Sequence, residues 1–192
     1  MLHTSFDPFP ELHTECMHLV AFHPQYVEAL HALRSHPDVT HYLQRPVPAS
    51  MDETMANIEI NRDLVSKGEG IAWVMLLKDT GAVVGVVGFW RMKKEHYRAE
   101  VGYLMFPEYW GKGMMSEALQ AALRFAFEQM HAHSIDADIH PANGASAKIL
   151  ERNGFVREAY LRENFYFNGE FHDSVWYGLL KRDWEAAQKK SS

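Results

Sequence analysis

The sequence predicts a mixed α/β (α+β) layer fold, helices packed on one sheet, and three observations predict it. Residues 83–90 (VVGVVGFW) are apolar throughout, so both faces of that strand must be covered. Residues 99–130 run from an apolar strand through a glycine-bracketed crook into a long helix with only a narrow polar stripe. A helix so apolar lies flat on a sheet. Near the end, Asn168-Gly169 between two extended segments is a strong two-residue hairpin signal.

Taken in order, residues 12–22 read as a strand with Leu12, Met17, Leu19 and Phe22 as its apolar content. His23-Pro24 opens a helix, because proline suits the first helical position, and Val27, Leu30 and Leu33 give it an apolar stripe. Pro37, Pro46 and Pro48 break the next stretch into a helical turn at 38–43 and a loop. Ser50 is the N-cap of a helix that carries Asp52 and Glu53 in its first turn, runs to about Lys67 and stops at Gly68 and Gly70. Residues 71–78 and 83–90 form strands about a turn at Asp79-Thr80-Gly81. Gly85 and Gly88 mark a bulge or a close approach. After a polar hairpin loop at 93–96, residues 98–106 return as a strand. The long helix shows Glu117, Gln120, Arg124 and Glu128 outward and Leu119, Ala122, Leu123, Phe125 and Ala126 inward. A strand at 134–139, a loop at 140–144 and a short helix at 145–152, stopped by Asn153-Gly154, follow. Two strands flank Asn168-Gly169, and a short polar helix closes the chain from Asp183. With no repeat and no linker, the 192 residues are read as one domain, with residues 1–10 as a loose arm.

Bulk properties exclude several function classes. Lys plus Arg is 19 and Asp plus Glu is 25, a net charge of −6, whereas nucleic acid and anionic membranes call for a basic patch. Cys16 is the sole cysteine, so no intrachain disulfide forms, which fits a reducing cytoplasm. The start of the chain lacks a basic segment followed by an apolar core, so no secretory signal is expected, and no apolar run is long enough to span a bilayer. Twelve histidines are scattered without metal-ligand spacing, and no metal is expected.

The crook, Trp110-Gly111-Lys112-Gly113-Met114-Met115, carries the chemistry. Its glycines remove side chains where the backbone comes close to something. The first turn of the following helix leaves amide N–H groups at the positive end of the helix dipole, which suits a phosphate. It is not a nucleotide P-loop, because Phe106 stands where the first glycine would be, and Ser116 spoils a dinucleotide fingerprint.

The wider run resembles a known family. A-E-V-G-Y, six residues, W-G-K-G, and some 30 residues later N-G-A-S-A-K-I-L-E-R-N-G-F is similar to the Gcn5-related N-acetyltransferases. Within them the chain resembles the RimJ/RimL branch, which acetylates the N-termini of ribosomal proteins. L-H-T-E-C-M-H-L near the start and Asn168-Gly169, Asp173, Tyr177 and 180–184 near the end carry the likeness over most of the chain. The resemblance implies a central, mostly antiparallel twisted sheet, splayed at its middle strands and flanked by helices. It implies acetyl-CoA as co-substrate, with its diphosphate on Trp110, Gly111, Lys112, Gly113, Met114 and Met115. The pantetheine would lie between the splayed strands on the backbone of Leu104, Met105 and Phe106. Two positions depart from the pattern: Met115 stands where the family has Gly or Ala, and Phe165 where close relatives have a glutamate.

Asn143 is a helix cap on its residue type, and the resemblance adds a contact to the cofactor arm. Ser146 is implied as proton donor to the leaving thiolate, with Tyr103, Tyr160 and Tyr166 as competing donors. Glu100 on the central strand and Glu163 are the candidate bases, against a plain surface-charge role for each. Direct attack of the amine on the thioester, with backbone N–H groups holding the oxyanion, needs no enzyme nucleophile, so Cys16 reads as a strand residue. The acceptor is expected to be a protein N-terminal α-amine, with a polyamine, an amino acid or an amine-bearing drug as alternatives and a non-catalytic CoA sensor as the reading from another class. The loop at 43–51 and the aromatics Tyr160, Phe165, Tyr166, Phe167, Phe171 and Trp176 would line the acceptor groove, or the aromatics are sheet surface or a homodimer contact.

Overall fold

The computed structural model describes residues 1–43 and 45–191; Gln44, in the loop assigned to the groove wall, lies outside the described residues. One eight-stranded sheet runs through the molecule: β1 (Leu12–His13), β2 (Met17–Ala21), β3 (Ile71–Leu77), β4 (Val83–Lys93), β5 (Arg98–Met105), β6 (Ser134–Ile139), β7 (Val156–Phe167) and β8 (Glu170–Leu180). Its order is β1-β2-β3-β4-β5-β6-β8-β7. Every neighbouring pair is antiparallel except β5 with β6.

Helices cover both faces. Against one lie α4 (Met114–Glu128) and α5 (Gly144–Arg152), sealing a core of Trp73, Val87, Phe89, Leu119, Phe127, Ile135 and Leu179. The opposite face of β2–β5 is covered by α1 (Val27–Ser35), α2 (Pro37–Thr40) and α3 (Met51–Ser66) over Leu30, Leu33, Ile58, Val74 and Val86. The closing helix α6 (Lys181–Ser191) sets Trp184 against Phe127, ring centroids 5.1 Å apart. Residues 1–10, read from the sequence as a loose arm, pack instead: Leu2 and Phe6 are buried, and the Leu2 and His3 amides donate to the carbonyls of Lys94 and Met130.

Residues 12–22 form a hairpin rather than one strand. Thr14 Oγ1 accepts the Met17 amide at 3.0 Å, a local side-chain bond that competes with extension and turns the chain. Pro24–Tyr26 is a 3₁₀ turn, so α1 starts at Val27. Gly85 marks a close approach: a Cβ there would stand 2.3 Å from the Leu104 carbonyl oxygen on β5.

Strands β5 and β6 pair only from Arg98–Ser134 to Glu100–Asp136. Beyond that point they part, while β5 stays paired with β4 up to Met105 and β6 with β8 up to Ile139. The sheet therefore opens into a V whose closed end lies at Glu100.

Candidate active site

The open end of the V meets the crook. After β5, Pro107–Tyr109 makes a 3₁₀ turn, and Gly111 (φ 73°) and Gly113 (φ 80°) take the left-handed conformation that only glycine adopts freely. A Cβ at either would meet nothing within 4 Å, so the front of the crook is open. No side chain caps α4, which leaves the Met114, Met115 and Ser116 amides free of helical partners. Met115, the departure from the family pattern, is 6% exposed and belongs to the core under the sheet, as does Met114. Its bulk is turned away from the crook. Lys112 holds its Nζ 5.6 Å from the centre of the Tyr109 ring. The indole nitrogen of Trp110 donates to the Met105 carbonyl at 2.8 Å, with the residue 49% exposed.

Ladder parity decides which part of β5 faces the V. The Phe106 amide donates to Val84 on β4, and the Leu104 carbonyl lies against Gly85. Alternate residues of an antiparallel strand bond to the same neighbour, so the backbone of Tyr103 and Met105 faces the opening. Of the three residues assigned to the cofactor arm, Met105 turns its backbone there, with its carbonyl taken by the Trp110 indole, whereas Leu104 pairs with β4 and Phe106 gives its amide to Val84 and its carbonyl to the Tyr109 amide.

At one wall of the V, Asn143 caps α5 by accepting the Ser146 amide on Oδ1 at 3.0 Å. Ser146 is 7% exposed, and its Oγ lies 2.8 Å from the Tyr103 hydroxyl. Burial pushes the Tyr103 phenol up to about 12, against a smaller downward pull from Ser146. Two of the candidate donors are thus joined in one hydroxyl pair.

The carboxylates lie apart from it. Glu100 stands opposite Trp90 in the ladder, on the face covered by α1–α3. Both of its oxygens sit 3.0 Å from Arg91 Nη1. Burial raises its pKa; Arg91 opposes the rise, and Asp138 and Asp136 add to it. Asp138, not singled out in the sequence, is also raised by burial, with a bond from Ser174 opposing. The alternation Asp136-Ala137-Asp138 was the available signal, since residues two apart share a face. Arg98 grips Asp136 through two bonds, Nη2 to Oδ1 at 2.6 Å and Nε to Oδ2 at 3.2 Å, across the closed end of the V.

Glu163 lies farther out, in a bulge of β7 at φ 50°, where its amide donates to Asp173 Oδ1 at 2.8 Å. Asp173 also accepts from the Tyr160 hydroxyl, and these bonds hold its carboxyl below the usual range. Tyr160 is therefore engaged in the hairpin. Tyr166 and Phe171 meet at a tilt of 58° on the exposed hairpin, centroids 5.0 Å apart, whereas Trp176 is half-buried. Cys16 lies exposed before β2, its amide donating to Glu117 Oε1 at 2.9 Å. Among the described residues no group of three or more His, Cys, Asp or Glu side chains is placed to hold a metal ion, and no helix is long and apolar enough to cross a membrane.

A splayed parallel pair, an uncapped helix at its mouth and glycines that leave that mouth open invite comparison with known proteins. The family described as acetyltransferase (GNAT) domain matches residues 17–156. This chain belongs to the GNAT acetyltransferases. An uncharacterized N-acetyltransferase, YoaA of Bacillus subtilis (strain 168), is 31% identical over 173 residues, covering 90% of this chain and 98% of YoaA. The [ribosomal protein uS5]-alanine N-acetyltransferase of Escherichia coli (strain K12) is 29% identical over 130 residues, 67% of each chain. Among solved structures, RimL, a ribosomal L7/L12 α-N-protein acetyltransferase in complex with coenzyme A, superposes with a TM-score of 0.79 at 23% identity over 89% of this chain and 98% of that one. At that identity the likeness speaks for the fold. The GNAT fold and N-acetyltransferase activity follow from the family; the acceptor does not.

Proposed function

We propose that this GNAT domain transfers the acetyl group of acetyl-CoA to the α-amine of a protein N-terminus. The observation that carries the cofactor reading is the crook: left-handed Gly111 and Gly113 with open space before them, followed by an uncapped α4. Its free amides and the dipole of α4 would hold the diphosphate, with Lys112 adding charge. The cofactor arm would run into the V past the Met105 backbone toward Ser146, with Trp110 at its edge and Asn143 holding the start of α5. That CoA is the ligand of the RimL structure supports this placement.

The amine would attack from the side of Glu100. Ser146 would give its proton to the leaving thiolate, while Tyr103, kept neutral, would hold the serine hydroxyl in place. Glu100 is engaged by Arg91 and Glu163 lies out on the hairpin, so neither is a strong free base. Such a site suits an α-amine, whose pKa of about 7.7–8.0 leaves part of it neutral, better than a lysine or polyamine amine near 10.4. The name of the E. coli relative, a ribosomal-protein N-terminal enzyme, points the same way. A cytoplasmic protein is the acceptor this reading favours. A sensor without turnover loses one of its grounds, because Met115 faces the core.

The test is release of CoA from acetyl-CoA over an alanine-initiated peptide, spermidine and free lysine. Turnover of the peptide with at least about tenfold preference is expected, because a larger neutral fraction favours the α-amine. Preference for spermidine would overturn the acceptor, and CoA binding without turnover of any amine would favour the sensor. Gly113→Glu is expected to abolish CoA binding in calorimetry while the protein stays folded; unchanged affinity would remove the crook from the site.

A further inference from the structure

On the face turned toward α1–α3, at the open end of the sheet, stand two histidines that the reaction outlined above does not use. His140 follows β6, and His172 lies on β8 across the ladder from Phe165. Their ring centroids are 6.5 Å apart, and both are half-buried. Tyr42, just after α2, brings its ring 5.5 Å from that of His140, and His41 packs edge-on to Tyr42 at 4.5 Å. The His140 carbonyl accepts the Asn143 amide at 2.9 Å, so the backbone of His140 stands one turn before the cap of α5.

The bonds of each ring fix where its proton sits. His140 Nδ1 accepts the Ala142 amide at 3.1 Å, so the neutral ring carries its proton on Nε2. Burial, then His172 and His41, hold the His140 pKa below the usual imidazole value, with Asp173 pulling the other way. His172 Nε2 lies 3.3 Å from the Phe167 carbonyl. A carbonyl oxygen can only accept, so that nitrogen carries the proton and Nδ1 keeps its lone pair. With ring centroids 6.5 Å apart, the pair offers one N–H donor, His140 Nε2, and one bare nitrogen, His172 Nδ1. Among the described residues no carboxylate bonds either ring; Asp173 is held by Tyr160 and Glu163, and Asp138 by Ser174.

We propose that His172 Nδ1 takes the proton given up by the acceptor amine, and that His140 Nε2–H positions the water that carries it. The inference rests on the acetyl-transfer reading above. As the amine nitrogen bonds to the acetyl carbon, the carbon–sulfur bond breaks. The amine proton passes to the water, the water passes one of its own to His172, and the thiolate takes a proton from Ser146. Solvent then reprotonates Ser146 and relieves His172, which closes the cycle. Attack turns the amine into a far stronger acid, so an imidazole suffices as acceptor.

Turnover is measured as CoA release with an alanine-initiated peptide and, in parallel, with spermidine. With whichever amine the wild type accepts, His172→Gln is expected to lower kcat about 100-fold and leave the KM for acetyl-CoA unchanged. His172→Ala is expected to regain part of its rate with added imidazole, which leaves the wild type unaffected. His140→Gln falls about tenfold, since it only orients the water. A His172→Gln rate within about twofold of wild type, or no rescue of His172→Ala, overturns the proposal. Carbon-13 NMR of the histidine rings reads the tautomers without turnover. Protons on Nε2 of both rings are expected, and a proton on Nδ1 of His172 overturns the proposal even in a protein that acetylates neither amine. Turnover of spermidine alone sinks the peptide acceptor of the preceding section, while the His172 and His140 variants still decide the histidine pair.

Discussion

Tyr103 ties a titration to a contact. Its folded-state pKa of about 12 lies above that of a free phenol, near 10. The unfolded chain therefore loses this proton first as the pH rises. The stability linked to it is fully present below pH about 10 and is lost through pH about 12. Urea midpoints for wild type are expected to fall more steeply between pH 9 and 11.5 than those of Tyr103→Phe, and equal slopes would mean that the phenol is not sealed. At pH 8 the same variant should lose about 1 kcal/mol, because the buried Ser146 hydroxyl forfeits its partner. Ser146→Ala is expected to slow turnover more than it weakens cofactor binding, and an unaltered kcat would take the serine out of the chemistry. Some of this scale was legible and some was not. Gly111, Gly113 and Asn143 announce themselves because local backbone needs dictate their types, whereas Ser146 was singled out by the family resemblance alone. The Tyr103–Ser146 bond spans 43 positions and the parity that selects Met105 over Leu104 depends on β4, so neither is written in local sequence.

Element by element, the helices were the plainest. Ser50 caps α3 by accepting the Glu53 amide at 3.3 Å, and Glu53 reaches back to the Ala49 amide at 2.8 Å. The first bond follows from the residue type and its spacing, and the second is a capping-box contact displaced by one residue, onto the amide before the cap. Ser50→Ala is expected to cost about 1 kcal/mol in urea unfolding without touching kcat, and a cost below about 0.3 kcal/mol would show the cap to be idle. Gly85 makes the opposite case. The sequence left open a bulge or a close approach, and Gly85 shows both: β3 pairs Met75 with Gly85 but Leu76 with Val83, which leaves Val84 extra, and a Cβ on Gly85 would stand 2.3 Å from the Leu104 carbonyl oxygen, a neighbour that only β5 folding back supplies. Gly85→Ala is expected to push β4 from β5 and destabilise by about 1–3 kcal/mol, read as a fall in thermal midpoint. The turn at Thr14 was missed because an apolar tally of 12–22 takes no account of a hydroxyl that bonds its own backbone.

For the molecule as a whole, the strand order was not deducible from periodicity. Nothing local says that β8 enters between β6 and β7, or that β5 and β6 pair for only a few residues. The family resemblance supplied both the sheet and its opening. The consequence is a division of labour between faces: Ser146 and Tyr103 belong with α4 and α5, whereas Glu100, Asp138, His140 and His172 look toward α1–α3. CoA at 100 times its dissociation constant should stabilise the fold by about 2.7 kcal/mol. Hydrogen exchange should then slow at 111–116 and at Met105 and stay unchanged in α6; protection confined to α6 would place the ligand elsewhere. The Arg98–Asp136 clasp has a consequence for reach. It works as the stop of a zip fastener, fixing how deep the slot runs. Moving that stop by one residue would shift the tip by about 3.3 Å, more than a hydrogen bond forgives, so in the acetyl-transfer reading proposed above this ion pair would set the yardstick for the thioester's travel.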